Sequence, residues 1–173
     1  MDGTFKVVSE PFKQLYSIRA FVKQDNELKQ IPLAFALMSS RRCRDYKKVL
    51  RAIKNLLPDE IKLQCVVADF ETALWQAVEI VFPHVRLQGC LFHWTQAVWR
   101  KVQEIGLGTA YRNDDAVHKY IKKIMALPFL RHEHIVPMFQ ALKDYATSSL
   151  PQSLVHYVQG TWIDSVLWSP DRW

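Results

Sequence analysis

The stretch "QCVVADFETALWQAV", residues 64–78, changes its period part-way through. Cys65 to Ala68 is a short apolar run with paired valines, which suits a buried strand. From Glu71 to Phe82 the apolar positions Ala73, Leu74, Ala77, Val78 and Val81 recur at three-and-four spacing, the mark of a helix with one buried face, and Pro83 ends it. Asp69 sits at the switch. An acid at the end of such a strand is by itself most simply a cap or turn residue; a metal role needs a second acid brought beside it.

Working outward, the order of elements becomes legible. Downstream, "VRLQGCLF" (85–92) reads as a further strand and "HWTQAVWRKVQEIG" (93–106) as a helix that stops at Gly106. Upstream, Tyr46, Val49, Leu50, Ile53, Leu56 and Leu57 predict a helix closed by Pro58. Before it, Phe5–Glu10 and Leu15–Lys23 read as strands, and "IPLAFALMSS" (31–40) as a third, apolar enough to lie inside a sheet, with Pro32 tolerable near its start. "KQDNELKQ" (23–30) carries Asp-Asn at its centre and suits a hairpin turn. From Ala110 to about Tyr145 the pattern is helical, with breaks expected at Pro128 and Pro137; after Ser148 a Trp-rich segment carries Pro151, Gly160 and Pro170. Three strands, a helix, a strand, a helix, a strand and a helix predict an α/β domain. The order matches an RNase H-like mixed five-stranded sheet flanked by helices, followed by a C-terminal helical insertion. The expected division is a core at 1–105 and the insertion region at 106–173. In that topology the first and fourth strands are neighbours, so Asp2 and Asp69 meet.

Composition narrows the class. With 173 residues, 49% of them hydrophobic and 23% charged, the chain is long enough for a real core and too apolar for a disordered tail. Charged residues interrupt every apolar run before it could span a bilayer, and residue 2 is an acid, unlike a signal peptide. Three widely spaced cysteines, Cys43, Cys65 and Cys90, make a poor disulfide framework and favour a reducing compartment. The net charge is +6, and "RRCRDYKKVLRAIK" (41–54) holds seven basic residues against one acid. Arg41, Arg42, Arg44, Lys47, Lys48 and Arg51 are therefore candidate phosphate contacts; a solvated helix face is the plainer alternative.

Two carboxylates held close repel one another unless a cation joins them, and Mg2+ or Mn2+ suits oxygen-only ligands. Asp2 and Asp69 are the candidate catalytic and metal-holding acids. Glu71, two residues on, can reach the same cation, or it can simply complement the dipole of the helix it opens. Cys90 and His93 form Cys-x-x-His, half of a zinc site with no second half at regular spacing, so packing support for the site is the simpler reading. "RHEH" (131–134) lacks the spacing of a helix-borne zinc motif.

Assembled in order, "DGTFKVV" (2–8), "IPLAFALM" (31–38), "VVADFETALWQAV" (66–78) and "FPHVRLQGCLFHWTQAVWRKVQ" (82–103) resemble the catalytic domain of Mutator-like element (MULE) transposases, over roughly residues 2–103. The resemblance implies an Asp-Asp-Glu transposase that uses Mg2+ or Mn2+ to cut and join DNA in the nucleus. Asp2 and Asp69 correspond to its first two catalytic acids, Cys90 and His93 to its Cys-x-x-His element. Transposon ends and target DNA are then the partners, self-association is left open, and no membrane is involved. The family's third acid lies in a motif with paired Asn before a Glu and a His, which is not found here; Glu133, Asp164 and Asp171 lack that context. The expectation is an incomplete catalytic domain whose isolated chain neither cleaves nor joins DNA. The alternative is a recruited transposase-derived domain that binds DNA or protein without catalysis. Trp162, Trp168 and Trp173 read as packing residues ahead of base-stacking platforms.

Overall fold

A computed structural model describes residues 2–4, 7–58, 63–146 and 152–173, and at Asp2 and Gln24 the main chain alone. The chain divides into two compact units, Met1–Gln88 and Gly89–Trp173.

In the first unit, β1 (Asp2–Thr4), β2 (Gln14–Gln24) and β3 (Glu27–Met38) form an antiparallel sheet in that order. The β2–β3 hairpin closes on Asp25 and Asn26, both at positive φ (49° and 66°), with Gln24 opposite Glu27. That is the two-residue turn whose twist matches the strands, and Asp and Asn tolerate the left-handed conformation better than most residues. Between the pairs Ile18–Ala34 and Arg19–Pro32 the register slips by one residue. Pro32, which has no N–H to give, thus lies at an irregularity of the ladder. Helix α1 (Cys43–Leu56) lays Tyr46 and Leu50 on the side of the sheet that presents Tyr16, Ile18 and Met38, all buried. β4 (Cys65–Ala68) runs into α2 (Thr72–Val81), and β5 (Arg86–Gly89) returns beside β4 as a two-stranded parallel sheet. Val66, Ala68, Leu74, Trp75, Ala77, Val78 and Leu87 fill the space between.

The α/β class therefore holds, but the five-stranded sheet does not. Among the described residues β1 pairs only with β2 and β4 only with β5, so the expected adjacency of the first and fourth strands is replaced by two separate sheets. The reason lies in strand length. β1 has three residues and β4 four, too few to offer more than one or two ladder bonds along a second edge. The strand expected over Phe5–Glu10 is also absent where described. Residues 8–13 form turns and irregular backbone around Pro11, and Phe12 N–H closes one turn on Ser9 O at 3.0 Å. β3, expected inside a sheet, is an edge strand on which Leu33, Phe35 and Leu37 are exposed while Ala34, Ala36 and Met38 face inward.

The second unit is helical: α3 (Leu91–Glu104), α4 (Gly108–Asn113), α5 (Asp115–Met125), α6 (His132–Tyr145) and α7 (Gln152–Val158), which runs on into a wider turn at Gln159–Ile163. Gly106 ends α3 as expected. At φ 78° it lets its own N–H reach Gln103 O and the N–H of Leu107 reach Val102 O, a Schellman closure that satisfies two orphan carbonyls. α6 runs through Pro137 instead of breaking there, because Ile135, Phe139 and Leu142 are buried and hold both sides of the lost bond. Trp94 is the centre of this core. Its ring lies 4.9 Å from Trp162 and 4.5 Å from Trp173, and its indole N–H donates to Met125 O at 3.1 Å. Trp162 and Trp173 are buried, in line with packing rather than base stacking. No described helix is long and apolar enough to cross a membrane.

Candidate active site

The turn after β4 is fixed by its own backbone. Asp69 O accepts from Glu71 N–H at 2.8 Å and from the Trp75 indole N–H at 2.8 Å, while Asp69 Oδ1 accepts from Phe70 N–H at 2.7 Å. Trp75 is fully buried, and Phe70 stacks on it with ring centroids 5.9 Å apart. The main chain at the end of the strand is thereby held by an aromatic wedge from the first turn of α2, and the Asp69 carboxylate by the Phe70 N–H.

Glu71 is the N-cap residue of α2, yet its side chain makes no capping bond. Half-buried, it accepts a hydrogen bond from the Tyr46 hydroxyl on α1 at 2.9 Å. The Tyr46 hydroxyl accepts in turn from Gln14 Nε2 at 3.0 Å, and Gln14 is completely buried at the start of β2. Burial is the main cause that pushes the Glu71 carboxyl above its ordinary range; the Tyr46 bond and the Arg41 guanidinium pull it down, and the Asp69 charge adds to the rise. Burial likewise pushes the Tyr46 phenol well up, so it stays a donor across the working pH range. The Glu71 carboxylate thus accepts from Tyr46 and makes no capping bond to the helix it opens.

The sign of the resulting pH dependence follows from linkage. Below 4.5, the ordinary value, Glu71 is protonated folded and unfolded alike and contributes nothing. As pH rises, the unfolded chain ionises first, so stability falls until the raised folded value is passed. Glu71→Gln removes this cost, while its amide oxygen still accepts from Tyr46. The expected result is a Tm gain at pH 7, kept small by the group's partial exposure, that vanishes below pH 4.5; thermal melts across that range check it.

Asp2 lies in β1, opposite Ser17 in the register. Its side chain lies outside the described residues. The strand partnership with β4 on which the meeting of the two acids was founded is replaced by two separate sheets, so strand pairing does not bring Asp2 to Asp69. Among the described residues no three His, Cys, Asp or Glu side chains gather closely enough to hold a metal ion. In the second unit Cys90 is the N-cap residue of α3. Its thiol is held below the ordinary range, chiefly by a hydrogen bond with His93. The Cys-x-x-His pair thus engages itself, and no described residues complete a zinc site.

On α1, Arg44, Lys48 and Arg51 recur at four-and-three spacing on the exposed face, opposite Tyr46, Leu50 and Ile53. Arg42 is also exposed, Lys47 is half-buried, and Arg41 acts electrostatically on Glu71 and Tyr46 instead of standing apart from the site. Tyr46 and Gln14 were missed as site residues from sequence. The available signal was a phenol among aliphatic positions on a buried helix face, since a buried hydroxyl requires a partner.

The family model of the MULE transposase domain matches residues 1–97. The chain belongs to the MULE transposase family. A comparison with curated proteins found no match. The MULE match covers β1 to the first half of α3 and so includes Asp2, the fixed turn at Asp69, Glu71, the basic helix and both members of the Cys-x-x-His pair.

Proposed function

We propose that this MULE transposase domain serves DNA cleavage and strand transfer of the Asp-Asp-Glu type, with Asp69 and Asp2 holding a divalent cation and α1 lying along a DNA backbone. The observation that carries the reading is the Asp69 carboxylate, held by the Phe70 N–H at the end of β4 within the family-matched stretch, with the Glu71 carboxylate two residues on. The donors suit the ion: Mg2+ is commonly held by one or two protein carboxylates, the remaining positions going to water and substrate phosphate. When bound, such a cation supplies the Lewis acidity that activates a water or 3′-hydroxyl and steadies the leaving oxygen of a phosphodiester. The chain's own residues orient and neutralise. Asp69 presents a fixed carboxylate, Arg41 offers positive charge to Glu71, and Arg44, Lys48 and Arg51 form a stripe able to displace counterions from phosphates.

Fluorescence anisotropy with a labelled duplex tests this. Binding tightens on replacing EDTA with Mg2+, and Asp69→Asn abolishes that increment. The stripe on α1 also favours a second reading, a recruited binding domain without catalysis, in which binding is the same in EDTA and survives loss of both Asp69 and Asp2. Under either reading, replacing Arg44, Lys48 and Arg51 together by alanine is expected to weaken binding for all sequences alike. It should also flatten the slope of log Kd against log salt by about 2–3. An unchanged slope would remove α1 from the interface.

A further inference from the structure

We propose that Tyr46 is a positioning residue: its hydroxyl holds the Glu71 carboxylate beside Asp69, and Gln14 fixes Tyr46 in turn, so that β2 and α1 set the geometry of the cation-holding turn after β4. The inference rests on the reading of Asp69 given above and assigns roles to two residues that reading does not use.

Three elements distant in the chain converge here. Tyr46 is 25 residues from Glu71 and 32 from Gln14, so neither bond is a by-product of local helix or strand geometry. The donor order is determined by chemistry. An ionised carboxylate only accepts, so Tyr46 spends its single proton on Glu71, and the lone pair left on its oxygen needs a donor. Gln14 meets that need with Nε2, which also lies 3.2 Å from Met38 Sδ; its Oε1 is buried with no hydrogen-bond partner among the described residues. The Tyr46 ring has little freedom, being buried and set edge-on to Tyr16 at 5.3 Å.

This arrangement is costly, which argues that it is not incidental. An N-cap acid could turn to its own helix N–H groups or to water at no such cost. Glu71 makes no capping bond and instead, half-buried, takes the Tyr46 hydroxyl at 2.9 Å, two residues from Asp69. A divalent cation held at Asp69 would offset the mutual repulsion of two carboxylates this close in the chain. The Tyr46 bond then keeps Glu71 oriented, in the manner of the outer hydrogen bonds that orient metal-ligating carboxylates.

The experiment is titration of the full chain with Mn2+ alone, following free Mn2+ by its electron paramagnetic resonance signal. The variants are Asp69→Asn, Tyr46→Phe and, as a control for loosened packing on the same helix, Leu50→Val. Tyr46→Phe keeps the ring and removes only the hydroxyl; we expect Mn2+ affinity to fall about tenfold, with Leu50→Val close to wild type. Wild-type affinity in Tyr46→Phe, alongside lost binding in Asp69→Asn, would overturn the positioning role and leave the reading of Asp69 standing. Equal losses in Tyr46→Phe and Leu50→Val would reduce Tyr46 to a packing residue and overturn it as well. No binding by the wild type, or binding indifferent to Asp69→Asn, would overturn both. Should Tyr46→Phe fail to fold, Gln14→Met removes the donor to Tyr46 at similar volume and is expected to weaken Mn2+ in the same direction; unchanged affinity there would again overturn the proposal.

Discussion

Trp75→Ala is expected to destabilise the first unit by about 3–5 kcal/mol, the usual cost of deleting a fully buried Trp. Trp75 is completely buried in the first turns of α2, and its removal empties the space between that helix and β4. Two further losses add to the cavity. Phe70 loses the ring it stacks on, and Asp69 O loses the indole N–H at 2.8 Å. Trp75→Phe separates the contributions, because it keeps most of the apolar contact and deletes the donor; about 1–2 kcal/mol is expected for it. Urea unfolding followed by circular dichroism checks both. A Trp75→Ala loss no larger than that of Trp75→Phe would mean that the hydrogen bond, not the packing, holds the turn.

Asp69→Asn is expected to separate stability from function in the opposite sense. Asn keeps an Oδ1 that accepts from Phe70 N–H, and the two bonds to Asp69 O belong to the main chain and survive. The fold should therefore change little. The negative charge disappears, and a hard divalent cation loses an anionic oxygen ligand for a neutral one. Outer hydrogen-bonding partners alone are worth about 10–100-fold in metal affinity, so loss of a direct ligand should cost at least that. Calorimetric titration with Mg2+ or Mn2+ beside a thermal melt reads both quantities. Unchanged cation affinity with an unchanged Tm would remove Asp69 from the site.

Much of this architecture is legible in the sequence because it is written in local period. The switch from paired valines to a 3.6-residue rhythm at Asp69, the Asp-Asn hairpin, the α1 stripe opposite Tyr46 and Leu50, and Gly106 at the end of α3 each need only a few neighbouring residues. What the sequence conceals is long-range. Whether a four-residue strand joins β1 or only β5 depends on how many ladder bonds each edge can offer, and periodicity does not register that. Pro137 was a plausible helix break until Ile135, Phe139 and Leu142 proved to be buried around it. Glu71 was readable as a helix-opening acid; that it turns to a tyrosine 25 residues earlier depends on α1 and α2 packing together. Arg41, grouped by composition with a solvent-facing stripe, acts electrostatically on Glu71 and Tyr46.

The most direct measurement of the central claim is Fe2+-directed backbone cleavage, with Fe2+ replacing Mg2+, ascorbate and peroxide generating radicals at the bound ion, and mass spectrometry locating the cuts. Cleavage concentrated at residues 68–72 and again at 2–4, suppressed by excess Mg2+ and lost in Asp69→Asn, is the result predicted if Asp69 and Asp2 share one cation. Cuts scattered along the chain, or a pattern that Asp69→Asn leaves unchanged, would contradict it.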